Sequence, residues 1–155
     1  MARAPKVQPA KPCIVIDTRE QSPWTFDATR VDSVRGTLHT GDYSLLGFEG
    51  SVVVERKSLD DWVSTIIHER ERFERELARM ATFDFRCVIV EGSYADVRDH
   101  IYTSQAHPSS VFGLSVCLMV DYGVPVLYCE DRAIASRVAE RILRRYFEKT
   151  TGRKP

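Results

Sequence analysis

The run Val52-Val53-Val54-Glu55-Arg56-Lys57 narrows the possible folds more than any other stretch, because three β-branched apolar residues pass without a break into an acid and two bases. Branched side chains of this kind favour an extended strand. Residues two apart on a strand project to the same side of the sheet. Glu55 and Lys57 therefore share one face, while Val52, Val54 and Arg56 point to the other, which is expected to be the buried one. An isolated Glu-x-Lys on a strand is usually a solvated ion pair, so its neighbours decide whether it does chemistry.

Those neighbours are acidic. Residues 41–46 and 51–57 read as two strands around the turn Gly47-Phe48-Glu49-Gly50. A four-residue loop sets Leu46 opposite Ser51 and carries the register on to Asp42 opposite Glu55. Directly opposed side chains lie about 5 Å apart, and two carboxylates so close favour a divalent cation between them. A helix is expected after Ser58, which fits an N-cap with Asp61 at the third helical position. Phe73, Leu77 and Met80 then space an amphipathic helix over residues 69–81.

Elsewhere the pattern alternates. Residues 13–17 form a short apolar strand ending in Asp17, and residues 18–36 read as a loop with one helical turn. Residues 87–91 and 124–129 are strands, and residues 109–122 form a helix apolar nearly all round, to be sandwiched in the core or covered by a partner. The last helix spans about 131–150, with Ile134, Val138, Ile142 and Tyr146 as its buried stripe. A strand, a hairpin and then alternating helices and strands make an α/β fold with a mixed central sheet flanked by helices. Residues 13–150 are expected to be one domain between flexible tails, 1–12 and 151–155.

Composition limits the function classes. With 155 residues, 43% hydrophobic and 28% charged, the chain is an ordinary globular domain. Lys+Arg and Asp+Glu are both 22, so any polyanion must be held by local patches. The four cysteines are far apart and without zinc-ligand spacing, which suits buried free thiols in a reducing compartment. Neither a secretory leader nor a run of the roughly 18 apolar residues of a membrane span is present. The expectation is a soluble intracellular protein of cytoplasm or nucleoid, or of the nucleus in a eukaryote.

In combination, Gly41-Asp42 and Glu55-Arg56-Lys57-Ser58-Leu59-Asp60-Asp61 resemble the GD…ERKxxxD signature of the XPF/Mus-type structure-selective endonucleases, within the restriction-endonuclease-like PD-(D/E)XK superfamily. Ile16-Asp17-Thr18-Arg19-Glu20 is similar to that family's opening I-D-x-R-E, Val90-Glu91-Gly92 to a later strand, and Tyr122-Gly123-Val124-Pro125-Val126 to its Y-G-[IV]-P-V segment. The likeness spans about residues 13–147. Glu76 stands where the family's helix carries glutamine, and the chain has no room for the tandem helix-hairpin-helix module of many relatives. The expectation is that a partner protein or another chain segment supplies that DNA hold, or that the chain acts as a stand-alone minimal nuclease.

The resemblance implies Asp42, Glu55 and Asp61 as ligands or organisers of Mg²⁺ or Mn²⁺, with Lys57 stabilising the attacking hydroxide. Arg56 belongs to the same motif, and Asp17, at another strand end, is expected at the rim of the same site, both as further catalytic candidates; Arg19, Arg35 and His39 are the candidate contacts to DNA phosphates. Simpler roles compete for some of these. Helix capping accounts for Asp61, a structural ion pair for Arg56, and core packing for Trp24 and Trp62. Ser109 suffices to cap the helix that follows it. The implied activity is metal-dependent endonucleolytic cleavage of DNA, near branches or flaps, in repair or recombination. A restriction-like or Holliday-junction-resolvase-like nuclease and a catalytically silent DNA-binding scaffold are the alternatives. The apolar helix at 109–122 and the final helix also point to a homodimer.

Overall fold

The computed structural model describes residues 11–153; most of the expected N-terminal tail and the last two residues of the C-terminal one lie outside it. Six strands form one mixed sheet: β1 (Cys13–Asp17), β2 (Asp32–Gly36), β3 (Tyr43–Leu45), β4 (Val52–Ser58), β5 (Phe85–Glu91) and β6 (Val126–Tyr128). They are ordered β2-β1-β3-β4-β5-β6. β3 runs antiparallel to both its neighbours, and the β4–β5 and β5–β6 pairs are parallel. The helices are α1 (Leu59–His68), α2 (Arg70–Met80), α3 (Tyr94–Arg98), α4 (Pro108–Asp121) and α5 (Arg132–Thr151).

The sheet divides the interior into two cores. Val52, Val54, Cys87 and Ile89 pack with Ala135, Ala139, Leu143 and Phe147 of α5 on one face. Val53, Val88 and Val90 pack with Leu59, Trp62, Phe73, Leu77 and Leu118 of α1, α2 and α4 on the other. β4 is thus covered on both sides, not on one as expected, which is why all three of its valines are buried. A strand enclosed on both faces reads as a continuous apolar run. The cores also absorb both tryptophans: Trp24 stacks on Tyr43 at 4.6 Å, and the Trp62 indole N–H donates to Tyr128 Oη at 2.8 Å.

The sequence reading needs several corrections. Residues 32–36 form β2, an edge strand paired with β1, where a loop was expected. Four of its five residues are exposed, so no apolar alternation marks it in the sequence. The hairpin keeps the expected register only at Tyr43↔Val54; the expected pairs Leu46↔Ser51 and Asp42↔Glu55 are not part of the ladder, because the Asp42 N–H donates to the Val54 carbonyl and Ser44 Oγ donates to the Val52 carbonyl. The buried stripe of α5 lies one position along, at Ala135, Ala139, Leu143 and Phe147, and the expected Ile134, Val138, Ile142 and Tyr146 are half-buried beside it. The cap of α4 is His107, whose Nδ1 accepts from the Ser109 N–H, rather than Ser109 itself. α3 went unforeseen. α5 continues to Thr151, so the expected C-terminal tail begins later. Of the cysteines, all free, Cys87 and Cys129 are buried, while Cys13 and Cys117 are partly exposed. No helix among the described residues is long and apolar enough to cross a membrane.

Candidate active site

The C-terminal end of β4 meets the start of β3 and the first turns of α1 and α2 around a polar cavity of about 350 Å³. Gly41 makes the approach possible. Its φ is +73°, and a Cβ there would collide with the Val53 side chain. The next residue is then held from three directions. The Asp42 N–H donates to the Val54 carbonyl at 3.0 Å, its carbonyl accepts from the Asp17 N–H at 2.8 Å, and its Oδ2 accepts from the Arg56 N–H at 2.8 Å. In place of a backbone rung, the Asp42 carboxylate closes the β3–β4 ladder.

Glu55 is 5% exposed, and its Oε1 stands 3.3 Å from Lys57 Nζ. The ammonium also lies 5.5 Å from the centroid of the Phe73 ring on α2. Burial pushes the Asp42 carboxyl up to about 6, with Glu20 and Glu76 adding to the rise and the Arg56 N–H opposing it. Burial likewise drives Glu55 well above the usual carboxylate range, reinforced by Asp42 and Glu76. Burial alone would lower Lys57, but Glu55 and Glu76 hold it above the ordinary lysine value. The two buried acids are therefore an electrostatically costly arrangement, offset most directly by the tethered Lys57 ammonium.

Asp61 lines the same cavity from α1. Its N–H is capped by Ser58 Oγ at 3.1 Å, so the helix start fixes where its carboxylate can reach. Sequence reasoning did not place Ser64, Glu69 or Arg72 here, yet all three line the wall. Glu76 follows Arg72 by one helical turn on α2, and its charge adds to the rise of the Glu55 and Asp42 carboxyls. Helical spacing from Phe73, which sits under Lys57, was the signal that α2 would face the site. Among the described residues no three Asp, Glu, His or Cys side chains are arranged to hold a metal ion by themselves.

Other expected site residues stand further back. Asp17 is 1% exposed and does not line the cavity. Its Oδ1 accepts from Arg19 N and Nε, and its Oδ2 accepts from Leu38 N and Arg19 Nη2. Asp17 thus aims Arg19, which does reach the cavity. Arg56 also borders the cavity, but its side chain turns away from Glu55 as strand parity requires, with Nε on Glu91 at 2.8 Å and Nη1 on Glu20 at 3.2 Å. Its partners lie on β5 and a loop rather than on a helix, and its main-chain N–H is what touches Asp42. Arg35 donates to the Glu20 carbonyl, outside the cavity lining, and His39 is exposed and also outside it. A separate cavity of about 580 Å³ lies between α5 and the start of β5, with Asp84 as the one carboxylate of its lining.

Comparison with known proteins agrees with this architecture. The model of the ERCC4 domain family matches residues 16–141. A Methanocaldococcus jannaschii protein named as an ATP-dependent RNA helicase is 28% identical over 124 residues, which cover 79% of this chain and 14% of that protein. XPF from Aeropyrum pernix superposes with a TM-score of 0.72 at 22% identity, over 91% of this chain and 68% of that one. The same archaeal XPF in complex with DNA gives 0.71 at 24% identity, over 90% and 66%. These likenesses show the XPF nuclease fold.

Proposed function

The chain belongs to the ERCC4 domain family, and from that premise we propose that it is a divalent-metal-dependent DNA endonuclease whose centre is Asp42, Glu55 and Lys57. The observation that carries this reading is the convergence of Asp42, immediately before β3, with the Glu55–Lys57 pair of β4 on one polar cavity. A scaffold gains nothing from burying two mutually repelling carboxylates. The similarity to an XPF described in complex with DNA supports DNA as the substrate. Cutting near branches or flaps, in repair or recombination, extends the same reading.

The donor set fits Mg²⁺ or Mn²⁺. Mg²⁺ takes one or two carboxylates and keeps several waters, with phosphate oxygens completing its shell, so Asp42 and Glu55 suffice without a third protein ligand. Asp61 would hold a water of that shell. When bound, the ion supplies a water of lowered pKa and neutralises phosphate charge. Within the chain, Lys57 places a positive charge beside the attacking oxygen, pre-oriented by Glu55 and needing no reorganisation during the reaction. Arg19 and Arg72 at the cavity rim contact the phosphates flanking the scissile bond. Arg56 positions Asp42 through its main-chain N–H and locks β4 to β5.

The alternative is a catalytically silent DNA-binding domain. The two readings separate in one experiment. The intact chain is incubated with labelled duplex, flap, fork and four-way-junction DNA in Mg²⁺, Mn²⁺ or EDTA, beside Asp42→Asn and Lys57→Ala. The endonuclease reading expects cutting that needs metal and falls at least about 100-fold in each variant; binding without cutting in every lane favours the silent domain. A homodimer formed through the exposed face of α4, and a partner protein contributing a helix-hairpin-helix hold, complete the proposal.

A further inference from the structure

The catalytic cavity is poorly equipped to hold a polyanion unaided, since five carboxylates and four basic groups line it. With no net charge on the whole chain, affinity for nucleic acid must come from a local surface elsewhere. The exposed face of α5 has one. Arg137, Arg141, Arg145 and Lys149 follow one another at four-residue intervals, all exposed. Each step of four advances about 6 Å along a helix, so the row extends about 18 Å. Their neighbour Arg144 is neutralised between Glu140 and Glu148. Within the row, only Arg145 has an acidic partner, Glu148 at 3.8 Å. Among the described residues no carboxylate stands within ion-pair distance of Arg137, Arg141 or Lys149.

The surface beneath is shaped as well as charged. Arg141, Arg145 and Lys149 border the cavity of about 580 Å³, which Phe85, Ile142 and Tyr146 also line, with Asp84 as its one carboxylate, accepting from Tyr146 Oη at 3.1 Å. We propose that this row and groove bind a segment of single-stranded nucleic acid, the cations tracking successive phosphates while bases stack on Phe85 and Tyr146. A basic groove beside aromatic rings is the arrangement that holds single strands without reading their sequence. A folded duplex could meet the cations but could not bring bases to the rings. An acidic peptide would use the cations but would gain no special advantage from two aromatic side chains.

α5 lies on the opposite face of the sheet from Glu55 and Lys57. The strand held there is consequently not the one entering the catalytic cavity at that moment. It is a second arm or a displaced strand, which rests on the nuclease reading and explains why a branched substrate would suit the chain. The binding itself needs no catalysis.

The test is fluorescence anisotropy of a labelled single-stranded oligodeoxynucleotide with the intact chain in EDTA, across a series of salt concentrations. It is repeated with Arg137→Gln/Arg141→Gln/Arg145→Gln/Lys149→Gln, and separately with Phe85→Leu. Each phosphate contact contributes about 0.7 to the slope of log affinity against log salt for single strands, so the quadruple variant should flatten the slope by about 3. Phe85→Leu should weaken binding at every salt concentration without altering the slope. Circular dichroism melts confirm that both variants fold. Unchanged affinity and slope in the quadruple variant would overturn the proposal, as would equal, α5-dependent binding of a poly-glutamate peptide. Asp42→Asn keeps the two ideas apart: it should abolish cutting and leave this binding intact.

Discussion

Asp42 illustrates how a single position can be tuned for function against stability. Its carboxyl titrates at about 6 in the folded chain because burial disfavours its charge, whereas an unfolded aspartate titrates near 3.9. Between those values the folded state retains a proton that the unfolded chain has released, so stability falls as pH rises through the window and stays reduced above it. Asparagine cannot ionise and can still accept from the Arg56 N–H. In metal-free buffer Asp42→Asn should therefore be more stable than wild type by on the order of 1–2 kcal/mol at pH 7, and nearly equal to it at pH 4. Urea unfolding at the two pH values measures this, and a variant less stable at pH 7 would contradict it. Arg56 shows the converse: strand parity correctly turned it away from Glu55, but nothing in the sequence revealed that its partners would be Glu20 and Glu91. Glu76 was visible only as a departure from a motif, and its electrostatic push on Glu55 depends on how α2 packs beside β4.

At the level of elements, strong periodicities were legible and edges were not. β4, β5, α1 and α2 follow from runs whose apolar spacing is dense. β2 was missed because an edge strand exposed along nearly its whole length needs no apolar pattern, only a neighbour with free backbone groups. The α5 stripe shifted by one position because the sequence marks large side chains, while the sheet accepts Ala135 and Ala139 where the helix comes close. This gives a sharp test. Leu143 is fully buried and Ile142 only partly so. Leu143→Ala should cost about 2–4 kcal/mol in urea unfolding, and Ile142→Ala should cost no more than about half of that, since part of its surface is already wet. The reverse order would restore the stripe expected from spacing.

On the scale of the whole molecule, two helical layers sandwich a sheet whose central strand ends in the candidate site, and one helix is left incompletely covered. Val116, Met119 and Val120 of α4 are 53%, 41% and 75% exposed. If this face joins two copies, sedimentation at micromolar concentration should give a dimer, and Val116→Lys/Val120→Lys should give a folded monomer. A wild-type monomer would remove the dimer from the proposal. The chain's own sequence was enough to determine the strand parity of Glu55, Arg56 and Lys57, the register at Tyr43↔Val54 and the cap at Ser58, because each depends on covalent spacing and local geometry. Only the tertiary structure decided that β4 is buried on both faces, that Asp17 serves Arg19 from behind the cavity, and that three cations of α5 line a groove closed partly by β5. Those outcomes depend on which distant elements share the same space, and that is set by packing across the sheet rather than by any spacing along the chain.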